Sequence, residues 1–179
     1  MPDYYPYLIS SLPHLYFGMK PPFNFEEFLK RCESIIPDKD LDITRRILLI
    51  NDRREVIEKN VVLNKWKMFD ADLKNELVKI RARRKHIDPL KYLRSDRYVS
   101  PELIHILISI SRNPSIIESE KLLDQIRWNF LDELVLGHYF DLGVLAAYAL
   151  KLLLLEKWEK INTADKTVLL EQALGGIKV

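Results

Sequence analysis

One stretch constrains the fold of this chain more than any other, the apolar run from Leu142 to Leu155. It contains a single charge, Lys151, and a strongly charged turn begins at Glu156. A helix that is apolar around its whole circumference is buried, either in a protein or in a membrane. The run is shorter than the roughly 18 to 20 residues that a bilayer span needs. The sequence therefore predicts a central core helix, with a membrane span as the weaker alternative.

A second helical pattern precedes this run. From Ile116 to Leu136, apolar residues recur at the spacing of one helix face. Four charged residues are predicted on the opposite side: Asp124, Arg127, Asp132 and Glu133. Gly137 suits the left-handed end of this helix, and the carboxylate of Asp141 can cap the next one. Helices joined by so short a loop pack antiparallel, so the stretch predicts a long αα-hairpin in the C-terminal half.

The joint of this hairpin is rich in rings. His138, Tyr139 and Phe140 lie in the turn, where they can be buried at the crossing of the two helices. The sequence assigns a structural role to the residues of the joint, which are Trp128, Gly137, His138, Tyr139, Phe140 and Asp141.

The N-terminal segment is similarly aromatic. Its rings are Tyr4, Tyr5, Tyr7, Tyr16 and Phe17. Pro6 and Pro13 prevent a long helix, so either an extended strap or a short helical turn after Pro6 fits the segment. We expect these rings to cover the helices, because aromatic side chains mainly supply burial, and a ligand pocket is the less favoured reading.

The next segments also predict helices. Asn24 begins a short helix that ends before Pro37, with Glu27 three residues after the cap. Either Asp38 or Asp40 is expected to cap another helix, which continues toward position 60.

Three further helices are predicted in the rest of the chain. The clearest periodic one spans 64–86, with a narrow apolar seam at Trp66, Phe69, Leu73, Leu77 and Ile80. Ser100 and Pro101 begin a helix through Ser111, for which a buried strand is the alternative. Thr163 is expected to cap a last helix that stops at Gly175.

Length and composition agree with one ordinary domain. The chain has 179 residues, of which 47% are hydrophobic, as is typical of a globular protein. The single cysteine, Cys32, lies on an apolar helix face, which predicts a buried, inert thiol. The first residues lack the basic and apolar regions of a signal peptide, so a cytoplasmic location is expected. The fold class is therefore predicted as an all-α, single-domain helical bundle over 1–179, with 87–100 as a candidate weak subdivision.

The sequence contains no recognisable catalytic motif. HExxH, CxxC, GxSxG and glycine-rich phosphate loops do not occur, and five glycines in all disfavour a phosphate cradle. Glu102 and His105 have the spacing of half a di-iron site, but no second Glu-x-x-His exists. A metalloenzyme using these two residues is the third-ranked hypothesis. We therefore expect no enzyme activity, no catalytic, cofactor-binding or metal-ligating residue and no small-molecule substrate.

Positive charge is concentrated at the end of the helix 64–86. The residues there are Arg81, Arg83, Arg84 and Lys85, and Lys91, Arg94 and Arg97 follow in the loop. Such charge suits the C-terminal end of a helix dipole. We interpret the first four as candidate contacts for a partner protein. Nucleic-acid binding through the run 81–97 is the alternative, disfavoured because Asp88 and Asp96 interrupt it and no nucleic-acid motif accompanies it.

Two sequence blocks resemble a known family. The blocks YYPYLISSLPHL and LLDQIRWNFLDELVLGHYFDLGVLAAYALKLLLLEKW are similar to an uncharacterised bacterial family whose genes tend to lie beside those of V/A-type ATPases. The second block also resembles the closing helices of the C-subunit family of V/A-type ATPases, which includes the d-subunit of the eukaryotic enzymes.

The resemblance implies a non-catalytic accessory or assembly subunit. Members of the C-subunit family are all-helical funnels that couple the central rotor stalk to the membrane ring of proteolipid subunits, and they carry no active site. They are built from three similar lobes, so this shorter chain could supply only part of that surface. The implied partners are stalk or ring subunits of the ATPase, without a cofactor. The implied location is cytoplasmic and peripheral to the inner membrane through the ATPase.

Overall fold

The computed structural model of the chain describes residues 4–49, 60–93 and 97–164. Regular secondary structure in these ranges is helical, which confirms the predicted all-α class. The α-helices are α1 (Pro6–Ser11), α2 (Phe25–Glu33), α3 (Asp38–Arg46), α4 (Val61–Lys85), α5 (Pro101–Ser111), α6 (Ile116–Leu134) and α7 (Leu142–Thr163). Two short 3₁₀ turns span Ile47–Leu49 and Pro89–Tyr92. The buried-strand alternative for 101–111 is therefore wrong.

Helix α7 is the central element of the bundle, as its apolar run predicts. Helices α2, α3, α4 and α6 all pack against it. Leu145, Leu152 and Leu155 are fully buried, and so are the alanines Ala146 and Ala149 between them. No helix in the described ranges combines the length and the hydrophobicity that crossing a bilayer requires.

Helix α4 is the longest helix in the described ranges. Its 25 residues span about 37 Å. Helix α6 runs antiparallel to it, since Trp66 packs near Phe130 and Asp70 bonds to Arg127. Helix α7 returns beside both, so that the α6–α7 turn lies at the N-terminal end of α4. The predicted αα-hairpin is thus confirmed.

The buried side chains of the described residues form two hydrophobic cores, and the partly buried Phe69 packs against both. The large core surrounds α7 and draws side chains from α1, α2, α3, the first turns of α4 and the second half of α6. The small core lies farther along α4, and its buried members are Leu73, Ile80, Leu107, Ile110 and Leu123. It joins only α4, α5 and α6, so α5 packs on a far smaller apolar surface than α7 does.

Several predicted helix ends are confirmed by their hydrogen bonds. The side chain of Asn24 accepts from the amide of Glu27 at 2.8 Å, and that of Ser100 accepts from the amide of Leu103 at 3.3 Å. The N-terminal segment forms a short helix directly after Tyr5, so the helical-turn alternative for it is correct.

Two predicted caps are wrong. Helix α3 begins after Pro37 without a side-chain cap. Asp40 instead lies buried and accepts a hydrogen bond from the Tyr5 hydroxyl, which ties α1 to α3. Thr163 is the last residue of α7, and its hydroxyl donates to the Glu159 carbonyl one turn earlier, which extends that helix. The predicted continuation of α3 through 50–59 and the predicted last helix after 164 lie outside the described residues.

Candidate functional site

The closed end of the α6–α7 hairpin carries exposed aromatic and aliphatic side chains. We name this surface the aromatic cap and define it as Tyr4, Tyr7, Leu136, Tyr139 and Phe140, all of which are exposed. The N-terminal segment meets the hairpin turn here, because the Tyr5 amide donates to the Phe140 carbonyl at 2.6 Å. Tyr4 forms an antiparallel bridge with Asp141. The cap is therefore assembled from two segments that are far apart in the chain.

The turn beneath the cap is tightly fixed. Gly137 has a φ of 83°, as its predicted role at a helix end requires. Phe140 has a φ of 55°, a left-handed conformation that costs a bulky L residue about 1–2 kcal/mol. His138 Nδ1 lies 2.6 Å from the Asp141 carboxylate, whose other oxygen accepts from the Val144 amide at 3.1 Å. These bonds hold the turn in its strained form.

Exposure of the cap corrects two predictions of burial. The rings of Tyr139 and Phe140 do not fill the helix crossing, because Tyr139 is 72% exposed and Phe140 is exposed as well. Of the N-terminal rings, Tyr5 is buried, but Tyr7 is 89% exposed. Trp128, also assigned to the joint, is buried and packs edge-on against Phe17, with their ring centroids 5.6 Å apart.

A buried network of charges joins α4, α6 and α7. Asp124 of α6 has a side chain only 1% exposed. Its carboxylate accepts from Arg127 Nη1 at 2.8 Å, Lys157 Nζ at 2.7 Å and Trp158 Nε1 at 2.9 Å. Arg127 also donates from Nε to Asp70 of α4 at 2.9 Å. The three helices are thus linked through two adjacent carboxylates and one shared guanidinium.

The neighbouring cations outweigh the cost of burying the Asp70 carboxylate. Burial opposes ionisation of Asp70, but Arg127 and Lys74 reverse that effect and hold the pKa of the Asp70 carboxyl below its ordinary value. Burial likewise opposes the charged form of Arg127, yet Asp70 and Asp124 raise its pKa. Both groups therefore stay ionised near neutral pH.

A cavity of about 430 Å³ opens over this network. Its charged lining consists of three acids and three cations: Asp70, Glu120, Asp124, Lys74, Arg127 and Lys157. Each acid is already bound to at least one of these cations. The carboxylates are consequently engaged in fixing the helices, and we interpret the network as a structural joint.

Asp124 and Arg127 lie on the buried side of α6, so the predicted outward position of both residues is wrong. The buried side of α6 runs through Leu123, Trp128 and Leu131, and it carries both charged residues between them. Positions three or four residues apart share one helix face. Trp128 is the signal that could have revealed this face, because a core tryptophan places its neighbours 124 and 127 beside it.

The two other perturbed groups are inert. Burial, with a smaller effect of Glu33, raises the pKa of the Cys32 thiol to about 12, which confirms the predicted buried thiol. Burial also raises the pKa of Tyr148 to about 12, and the Tyr148 hydroxyl donates to the Pro13 carbonyl. Neither group is poised to react near neutral pH.

The predicted basic contacts lie at the end of the bundle opposite the cap. Arg81, Arg83, Arg84 and Lys85 are all exposed. Arg84 Nη2 donates to the carbonyl of Ser111 at 2.7 Å and lies 3.0 Å from its hydroxyl, which ties the last turn of α4 to that of α5. Farther along the run, Arg97 bonds to Asp72 and so faces α4. All four side chains are exposed, although Arg84 is bonded to Ser111, and their role as contacts stays a prediction.

The half di-iron pattern lies on the surface of α5. Glu102 and His105 are both exposed. In the parts of the chain that the structure describes, no group of three or more His, Cys, Asp or Glu side chains is arranged to hold a metal ion.

Comparison with known proteins yields one match. Residues 100–172 match a family described as "Protein of unknown function (DUF2764)". The matched region covers less than half of the chain and contains α5, α6 and α7, so it includes the hairpin turn and every member of the charge network except the residues of α4. The chain matches no curated protein and no solved structure. The similarity is thus to a family without an assigned function, over the C-terminal helices.

Proposed function

We propose that this chain is a non-catalytic accessory or assembly subunit of a V/A-type ATPase that binds stalk or ring subunits through exposed helical surfaces. The observation that carries the protein-binding part of the proposal is the aromatic cap. Scattered apolar residues are normal on a protein surface, but a cluster of large ones marks an interaction site. Tyrosine and phenylalanine are also enriched at protein interfaces, and tyrosine is among the residues that dominate the binding energy there.

The choice of partner rests on the resemblance. Both sequence blocks that resemble the family encoded beside V/A-type ATPases contribute to the cap. The first block supplies Tyr4 and Tyr7, and the second supplies Leu136, Tyr139 and Phe140. The Tyr5–Phe140 backbone bond joins them. The segments that carry the resemblance therefore meet at the surface that a partner would contact.

The rigidity of the cap supports the same role. Tyrosine has few rotatable bonds, so fixing it at an interface costs little conformational entropy. The backbone beneath Tyr139 and Phe140 is held by the His138–Asp141 contact and by the Asp141 cap of α7. A preformed backbone of this kind lowers the ordering cost of binding. The proposal includes a cytoplasmic location, peripheral to the inner membrane.

A pull-down from native cells in mild detergent tests the proposal. The tagged chain is compared with a Tyr7→Ser/Tyr139→Ser variant, and co-purifying proteins are identified by mass spectrometry. The matched control is Tyr98→Ser, which removes a ring that is 84% exposed elsewhere on the surface. We expect the wild type and the control to recover stalk or ring subunits, and the cap variant to lose them.

Two results would contradict the proposal. If the wild-type chain recovered no ATPase components from cells in which the ATPase is intact, the ATPase would not be its partner. Equal recovery by the cap variant would show that the cap is not the contact.

A further inference from the structure

We propose that the end of the bundle opposite the cap docks on an anionic lipid surface. The site consists of two sets of exposed side chains. The cations, which we call the basic end, are Arg81, Arg83, Arg84, Lys85 and Arg112. The aliphatic side chains, which we call the apolar rim, are Ile87, Leu90, Ile116 and Ile117.

Three contacts bring these residues to one end of the molecule. The Arg84–Ser111 bonds place Arg112, the next residue, beside the last turn of α4. The Ile87 amide donates to the Ala82 carbonyl at 3.1 Å, so the chain folds back over that turn. The Ser119 hydroxyl donates to the Ile110 carbonyl at 3.2 Å, which holds the first turn of α6 against the end of α5.

The charge of this end is strongly one-sided. Arg81, Arg83 and Lys85 form no ion pair within the described ranges. The neighbouring acids are Asp88, which accepts from the Leu90 amide at 3.0 Å, and Glu118, which accepts from the Asn113 side chain at 3.3 Å. The C-terminal ends of helices α4 and α5 also lie here, and each adds about half a negative charge. An excess of positive charge remains to face an anionic surface.

The aliphatic side chains favour lipid over other polyanions. Ile116 is 80% exposed and Leu90 is 69% exposed. They lie three residues from Ser119 and Ile87 respectively, which the contacts above hold at the end that carries the cations. A bilayer interface accommodates both groups, because cations stay at the headgroups while aliphatic side chains enter the acyl boundary. Nucleic acid offers phosphates to the cations but no apolar layer for the isoleucines.

Co-sedimentation of the purified full chain with vesicles tests this inference. The vesicles contain phosphatidylcholine alone or phosphatidylcholine with phosphatidylglycerol. We expect binding only to the anionic vesicles and a steep loss with added salt. The Arg81→Gln/Arg83→Gln/Lys85→Gln variant, which leaves the Arg84 bonds intact, should lower the partition coefficient on the order of 100-fold.

A charge-matched variant controls for net charge. Lys30→Gln/Lys39→Gln/Lys65→Gln removes the same charge from exposed positions away from this end and should lower binding far less. Leu90→Ser/Ile116→Ser tests the apolar rim and should weaken binding at every salt concentration. Circular dichroism of each variant establishes that it is folded.

Other outcomes would overturn the inference. These are no binding to anionic vesicles at low salt, equal losses in the two triple variants, or tighter binding to duplex DNA or RNA than to vesicles. The vesicles carry no protein, so this result is independent of the pull-down that tests the proposed ATPase association.

Discussion

The two hydrophobic cores of this bundle differ in size, composition and connection. The large core gathers aromatic and aliphatic side chains from every described α-helix except α5. The small core buries five aliphatic side chains between α4, α5 and α6. Because stabilisation scales with buried apolar area, the small core cannot hold its helices alone. It depends on α4 and α6, which continue into the large core, and α5 is therefore expected to open first.

The charge network lies at the boundary between these cores. Asp70 precedes Leu73 of the small core by one turn, and Asp124 follows Leu123 directly. Arg127, which bonds both acids, is followed by Trp128 of the large core. A buried ion pair adds little net stability, yet removal of one partner leaves an uncompensated charge. A single substitution at this boundary should therefore lower the free energy of unfolding more than one elsewhere.

The largest effect is expected at Asp124. Asp124→Ala removes the acceptor that Arg127, Lys157 and Trp158 share, and only Arg127 and Lys157 keep a second partner, in Asp70 and Glu120. The substitution should lower the free energy of unfolding by about 3–5 kcal/mol. Asp132→Ala on the same helix removes a half-exposed partner of Lys151 and should cost about 0–1 kcal/mol. Urea denaturation followed by circular dichroism measures both. Similar losses in the two variants would show that the network does not join the cores.

The next largest effect is expected from Leu→Ala substitutions, which compare the two cores directly. Leu145, Leu152 and Leu107 are all fully buried, the first two in the large core and the last in the small one. Replacement by Ala should cost about 2–5 kcal/mol, with Leu145 and Leu152 in the upper half of this range. Leu107 should fall in the lower half, because its neighbours can collapse around the lost volume. A loss below about 1 kcal/mol at both large-core positions would contradict the assignment of α7 as the centre.

Acidification should weaken the boundary through Asp70. The pKa of this carboxyl is lowered in the folded state, so its stabilisation is present above the unfolded value of about 4 and is lost as pH falls through the folded value. Asp70→Asn should be less stable than the wild type near neutral pH. The difference in stability between the two proteins should become smaller below about pH 4. Urea midpoints measured across this range test the prediction. A constant gap would mean that ionisation of Asp70 contributes nothing.

The smallest effects are expected at helix caps. Asn60 is buried at the start of α4, and its side chain accepts from the Leu63 amide at 3.0 Å. Ser115 caps α6 beside the small core with a bond of 3.2 Å to the Glu118 amide. Replacement of Asn60 by Ala should lower the free energy of unfolding by about 2 kcal/mol, and replacement of Ser115 by Ala should lower it by about 0.5 kcal/mol. A larger loss at Ser115, measured by urea denaturation, would reverse the predicted ranking of the two regions.

The helices were largely predictable because their signals are local. The caps at Asn24, Ser100 and Asp141, the positive φ at Gly137 and the apolar run of α7 each follow from residues within one turn. These features depend on residues that are close together in the sequence and very little on tertiary packing.

The surfaces were less predictable because exposure is set by tertiary packing. Nothing local distinguishes Tyr5, which is buried against Asp40, from Tyr7, which is exposed two residues later. Asp124 and Arg127 were misplaced for the same reason, since the partners that bury them lie on α4 and α7. The aromatic cap and the charge network both arise from segments that meet only in the folded chain.

The most direct test of this account is the level of assembled V/A-type ATPase in cells whose chromosomal copy carries Tyr7→Ser/Tyr139→Ser. Assembly is read by native gel electrophoresis and by ATP-driven ion transport in membrane vesicles, with Tyr98→Ser as the control. We expect reduced assembly or transport in the cap variant and normal assembly and transport in the control. Unchanged assembly and transport, with the variant protein present at normal abundance, would contradict the claim that the cap binds the ATPase.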